Sequence, residues 1–260
     1  MKTTYTSRRK VTSVRKHKKV YRRGYGNKKK NTFAARVKKV IHSQIENKIT
    51  QVQFANVDLL FAGSLTSPTY QYLLPYPSQN TSQSGRLGNE ISCVKSIFRG
   101  FINLKPYNAT TNTLACPIYI KMWLCKRKCL QYNSAVPSAT DFANFFQSGG
   151  TVANFSGGML DMVLNVNTDY WTVLQTKTVQ LYSTTGVTPS MVPGNSNVSV
   201  PFYFNLTKHT GKLKFNDNSS YATNKELYMV WQTVRSDGTV DTAGQYAEIH
   251  YLLEHQFEDA

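Results

Sequence analysis

Residues 198–206 read VSVPFYFNL. Val198, Val200, Phe202, Phe204 and Leu206 share one phase of a two-residue period, and Ser199, Pro201, Tyr203 and Asn205 share the other. That pattern belongs to an extended strand with one face buried. The period recurs through most of the chain. Trp171, Val173, Val179 and Leu181 share a phase in WTVLQTKTVQL, Ile118, Ile120, Met122 and Leu124 in IYIKMWL, and Ile249, Tyr251, Leu253 and Phe257 in IHYLLEHQF. In QVQFANVDLLF the apolar phase switches between Phe54 and Val57, which predicts a β-bulge near Asn56. EISCVKSIFRGFINL is apolar on both phases, which predicts a more deeply buried strand with a kink at Gly100. A sequence with this period cannot bury itself as a helix bundle. No helical segments alternate with the strands, so nothing points to a parallel sheet.

Eight strands are expected, at about 50–61, 90–104, 116–127, 169–182, 198–207, 211–216, 226–235 and 245–257. The 16 Tyr and 13 Phe suit a pleated, half-buried surface. One helix is expected over 138–146, with Ser138 as N-cap, Asp141 at N3, and Phe142, Phe145 and Phe146 at i, i+3 and i+4. The connections 62–89, 128–168, 183–197 and 217–225 are long and rich in Ser, Thr, Asn, Gly and Pro. A hairpin meander would not need them. The expected fold is all-β, an eight-stranded antiparallel jelly-roll sandwich spanning 46–260, preceded by a disordered basic arm and linker over 1–45.

The charge distribution supports that division. Residues 1–39 hold 16 of the 31 Lys and Arg, and the first acid is Glu46. The remaining 221 residues carry 15 basic and 14 acidic side chains, a sum of +1, against +17 for the whole chain. A block of like charge cannot bury apolar surface, so the arm is expected to be disordered when free. Its natural counter-ion is phosphate, bound by counterion release in a salt-dependent, sequence-blind way. The residues expected to bind nucleic acid, and to overlap a nuclear-localisation signal, are Arg8, Arg9, Lys10, Arg15, Lys16, Lys18, Lys19, Arg22, Arg23, Lys28, Lys29 and Lys30. Tyr21 and Tyr25 add weak base stacking. A polybasic membrane tether is disfavoured, because no acylation motif or amphipathic apolar face accompanies the charge. Lys121, Lys126, Arg127 and Lys128 are read either as a basic surface continuing the arm or as a solvated strand end.

No catalytic constellation is evident. GxSxG, HExxH, Walker A and a strand-following GxGxxG are all absent from the sequence. Cys125 and Cys129 form a CxxxC without a second pair, and Cys93 and Cys116 stand apart. Reduced, partly buried thiols are expected, with no metal and no cofactor. No stretch of 18 apolar residues and no secretory leader is read.

The basic arm RRKVTSVRKHKKVYRRGYGNKKK, the strands EISCVKSIFRGFINL and PIYIKMWLCKRK, the aromatic DYWTVLQTKTVQLY and the later FYFNLTKHTGKLKF with ELYMVWQTV resemble, in pattern and order, capsid proteins of circular Rep-encoding single-stranded DNA viruses. These are the circovirus-like group, with the single jelly roll of satellite tobacco necrosis virus-like coats. The resemblance implies self-assembly of about 60 copies into a small T=1 icosahedral shell. It also implies an arm turned toward a single-stranded genome, host import machinery and a host-cell receptor as partners, and a location in the virion and, during assembly, the host nucleus. A charge-reading arm by itself leaves DNA and RNA open; the resemblance favours DNA. The competing readings are a non-capsid nucleic-acid-binding protein of ribosomal or chromatin type, and a β-sandwich enzyme or lectin-like binder. The last would need a convergent polar site that the sequence does not offer.

Overall fold

The computed structural model describes residues 47–59, 69–82, 84–105, 117–128, 142–182, 198–217, 219–240 and 246–259. The strands are β1 (Lys48–Leu59), β2 (Thr69–Tyr72), β3 (Glu90–Leu104), β4 (Ile118–Arg127), β5 (Phe146–Ser148), β6 (Thr151–Ala153), β7 (Asn165–Val166), β8 (Trp171–Leu181), β9 (Ser199–Asn205), β10 (Lys212–Lys214), β11 (Tyr228–Arg235) and β12 (Ala247–Asp259). One sheet runs β1-β12-β3 with β9 and β10 both on the far side of β3, and a second runs β2-β11-β4-β8. Every pairing between these strands is antiparallel. The chain changes sheet at each connection except β4 to β8, which are neighbours, and β9 to β10, which both pair with β3. That strand order is a Greek-key jelly roll.

The sequence-based count of eight strands is met by a different set. β9 pairs with residues 97–103 of β3, and β10 with residues 90–92. A single helical turn, Thr207–Thr210, separates them. The two segments expected as separate strands thus fill one sheet position. The eighth position belongs to β2, inside the stretch 62–89 that was expected to be a connection.

The core lies between the two sheets. Phe98 packs on Phe202, Trp231 and Tyr251, with centroids 5.1, 6.2 and 5.2 Å apart. Trp231 stands opposite Met122, and Thr233 opposite Ile120, so the phase Ile120, Met122, Leu124 faces this core. The opposite phase of β4 is buried as well, since Trp123 and Cys125 are 1% and 0% exposed. The β4–β8 connection explains this. It folds into a small third sheet, β6-β5-β7, that covers the outer face. Trp123 meets Phe145, Phe146 and Phe155 at 5.6–6.1 Å. Buried Asp161 accepts from Ser156 and Gly157 backbone N–H at 2.7 and 2.9 Å, and from the Gln232 side chain of β11.

Two further expectations are corrected. The expected helix 138–146 does not run to its end: among its described residues Phe142 and Ala143 are helical, Asn144 and Phe145 leave the helix, and Phe146 opens β5; residues 138–141 lie outside the described residues. The i, i+3, i+4 phenylalanines are satisfied by a turn and a strand that send three rings into one cluster with Phe155 and Trp171. β3 is not buried on both faces. Ile91, Phe98 and Ile102 point inward, while Val94 and Phe101 are 49% and 54% exposed. The bulge does fall between Phe54 and Val57, with Asn56 at φ 56°. Gly100 is required by a close approach rather than a bend alone, since a Cβ there would stand 2.0 Å from the His250 carbonyl oxygen.

Candidate nucleic-acid interface

The twelve arm residues from Arg8 to Lys30 lie outside the described residues. Within the body, the basic groups that come together do so at one end of the sandwich. β4 finishes there at Arg127, β8 begins at Trp171 opposite it, and β11 begins at Tyr228 opposite Cys125. β1 also begins at this end, because Lys48 pairs with Phe257 and Phe257 with Cys93 near the start of β3. The chain therefore enters the sandwich at the end where β4 leaves it. Lys48 is buried and fixes that entry through Asp259 at 2.7 Å and the Gly85 carbonyl at 2.9 Å.

A cavity of about 510 Å³ opens at this end, lined by Lys126, Arg127 and Lys128 of the β4 terminus, Thr172 and Leu174 of β8, Lys208 and His209 of the helical turn, and Asn224 to Leu227 before β11. Arg127 forms its floor and is nearly fully buried. Its Nε and Nη2 donate to the Glu226 carboxylate at 2.6 and 2.7 Å, a bidentate pair with both partners buried. Removing a charge pair from water is costly, and this geometry offsets the cost by saturating both groups. Arg127 is thus structural, and only its neighbours Lys126 and Lys128 are exposed. Lys225 donates to the Thr210 carbonyl at 2.6 Å, closing the end of the helical turn. Burial, and then the positive fields of Lys126 and Lys208, hold the His209 imidazole below its usual range.

Lys121 does not join this group. Its ammonium donates to the Met162 carbonyl and lies 5.1 Å from the Trp123 ring centroid, where it ties the turn between β6 and β7 to β4. His250 pairs with Glu248 at 2.9 Å, and His255 is fully buried against Ser96. Cys93 and Cys125 are both buried free thiols. Burial pushes the Cys93 thiol up to about 11 and Cys125 higher still. Cys116 and Cys129 lie outside the described residues. Among the described residues no three His, Cys, Asp or Glu side chains are grouped to hold a metal ion. The sequence pointed to Lys126 and Lys128 but not to Lys208, His209 or Lys225. Those residues are about 80–100 positions away, and no local pattern links them.

No protein-family model matches the sequence, and no curated protein matches it. Solved structures with some similarity include the Desmodium yellow mottle tymovirus, at 12% identity and a TM-score of 0.31 over 82% of this chain and 84% of that one. The mud crab tombus-like virus aligns at 15% identity and 0.26 over 84% and 83%. An unassembled KI polyomavirus VP1 pentamer aligns at 10% and 0.25 over 83% and 95%. All three come from viruses. At such scores they add nothing to the strand order, which by itself defines the jelly roll.

Proposed function

We propose that this chain is the coat protein of a small icosahedral virus, whose jelly-roll body builds the shell and whose basic arm binds the single-stranded genome. One observation carries the reading. The 221 residues that contain the jelly roll sum to +1, and they are joined to a 39-residue segment holding 16 cations. A body without net charge packs against copies of itself without strong mutual repulsion, while the arm supplies neutralisation. With about 60 copies the arms bring on the order of 960 positive charges, enough to neutralise a genome segment of about a thousand phosphates. The genome assigned is single-stranded DNA, and the same arm serves as the nuclear import signal that the host machinery reads. The protein then resides in the virion and, before packaging, in the host nucleus.

The arm assignment is tested by replacing its twelve Lys and Arg between Arg8 and Lys30 with Gln in the full chain and measuring affinity for fluorescent oligothymidylate against salt. Twelve phosphate contacts on a single strand give a log–log slope near −8 at most, since each contributes about −0.7. The variant is expected to lose most of that contribution. An unchanged slope would place genome binding elsewhere.

A further inference from the structure

The body carries 15 Lys and Arg, all of them among the described residues. Twelve are committed to protein oxygens. Lys48, Lys95, Arg99, Lys105, Arg127, Lys212, Lys214 and Arg235 meet carboxylates. Arg86, Lys121, Lys177 and Lys225 donate to backbone carbonyls. Among the described residues, Lys126, Lys128 and Lys208 meet no carboxylate or carbonyl, and all three line the same cavity. Its one lining carboxylate, Glu226, is saturated by Arg127. Five lining cations against one anion leave an excess of +4 (5 − 1) among the described lining residues.

We propose that this cavity is a phosphate site on the body, separate from the arm, that takes adjoining phosphate groups of a nucleotide chain. The inference rests on the genome-binding reading above and locates a structured contact for it. Flexible ammonium groups acting as point charges suit spaced, multiply charged acceptors. The only guanidinium, which would favour a bidentate carboxylate, is already occupied. Among the described lining residues there is no Phe, Tyr or Trp, and the cationic groups address phosphate rather than base edges, so the contact is blind to sequence. Its place at the end where the chain enters the sandwich lets a strand bound by the arm continue onto the body. An anion between Lys126 and Lys208 would cancel the field that now disfavours the His209 imidazolium. Three or four phosphate contacts add about −2 to −3 to the salt slope, beyond what the arm supplies.

The test is lysine acetylation of the full chain, read by mass spectrometry, without ligand, with a short oligothymidylate and with inorganic tripolyphosphate. Both probes are expected to slow acetylation of Lys126, Lys128 and Lys208 at least about fivefold, as bound phosphate buries their ammonium groups. Lys95 and Lys212, paired with Glu254 and Glu90, serve as references and should change little. In the Lys126→Gln/Lys208→Gln variant, protection of Lys128 should vanish while Lys28, Lys29 and Lys30 remain protected by oligothymidylate. Arm protection with equal acetylation of the three cavity lysines in all conditions would overturn the site and leave the genome-binding reading standing. Absence of oligothymidylate protection on the arm as well would overturn that reading itself. Protection of the cavity by tripolyphosphate alone would overturn the nucleotide-chain assignment in favour of a small polyphosphate.

Discussion

His255 sets a pH limit on the body that can be worked out in advance. The imidazole is fully buried in β12. Its Nδ1 meets the Ser96 hydroxyl at 3.0 Å, and that hydroxyl donates to Thr210 Oγ1 at 3.1 Å. Its Nε2 has no partner, so an added proton would sit on a buried charge without an acceptor. Burial accordingly lowers the pKa from 6.5 to about 3. The neutral form is the one the fold prefers. The stabilisation is therefore complete above pH 6.5 and is lost as pH falls from 6.5 toward 3, where the unfolded chain binds a proton that the folded chain refuses. Each pH unit in that window costs about 1.4 kcal/mol, so the loss from this residue at pH 4.5 is about 2–3 kcal/mol. Urea unfolding at pH 7 and pH 4.5, followed by fluorescence of buried Trp123, Trp171 and Trp231, measures it against His255→Gln. The variant should be less stable at pH 7, through disturbed packing, and should lose about 2–3 kcal/mol less than the parent on acidification. Parallel losses in the two proteins would refute the assignment of acid sensitivity to this imidazole.

Other perturbations have equally definite expectations. Gly100→Ala places a methyl 2.0 Å from the His250 carbonyl and 2.8 Å from Tyr251 Cα, both backbone atoms; overpacking of at least about 3 kcal/mol should lower the melting temperature by roughly 6–12 °C. Glu226→Gln strands the buried Arg127 charge and should cost about 3–5 kcal/mol, whereas Arg127→Met with Glu226→Leu should recover most of it in the same denaturation assay. Cys93 and Cys125 should resist iodoacetamide at pH 8 in the native protein and react once it is unfolded, because burial keeps both thiols protonated; rapid native alkylation of either would contradict the burial described.

The jelly roll was legible where strands are long enough to show their period and one face is solvated. VSVPFYFNL has Phe202, Phe204 and Leu206 buried and Pro201, Tyr203 and Asn205 exposed, as its alternation required. The phase switch at Asn56 showed because a bulge moves every later side chain to the other face. β2 was missed because four residues, Thr69–Tyr72, are too few to display a period. The third sheet was missed for the same reason, with strands of two or three residues. Trp123 and Cys125 looked like an outer face because nothing local announces that a distant connection will cover them. Phe142, Phe145 and Phe146 imitated a helical stripe, yet their spacing served an aromatic cluster around Trp171. The basic cavity was half legible. Lys126 and Lys128 stand out beside an apolar strand, but Lys208 and Lys225 join them only through the pairing of β11 with β4 and the turn between β9 and β10. Arg127 looked the same as its neighbours in sequence and became structural only through Glu226, 99 positions away.

Assembly is the most direct test of the coat-protein reading. The full chain, expressed and treated with nuclease, should elute from a sizing column as large uniform particles. Negative-stain microscopy should show closed shells of one diameter, and extraction should release single-stranded nucleic acid that the nuclease did not reach. A soluble monomer or small oligomer that binds nucleic acid and never closes into shells would contradict that reading and make this jelly roll a nucleic-acid-binding module instead.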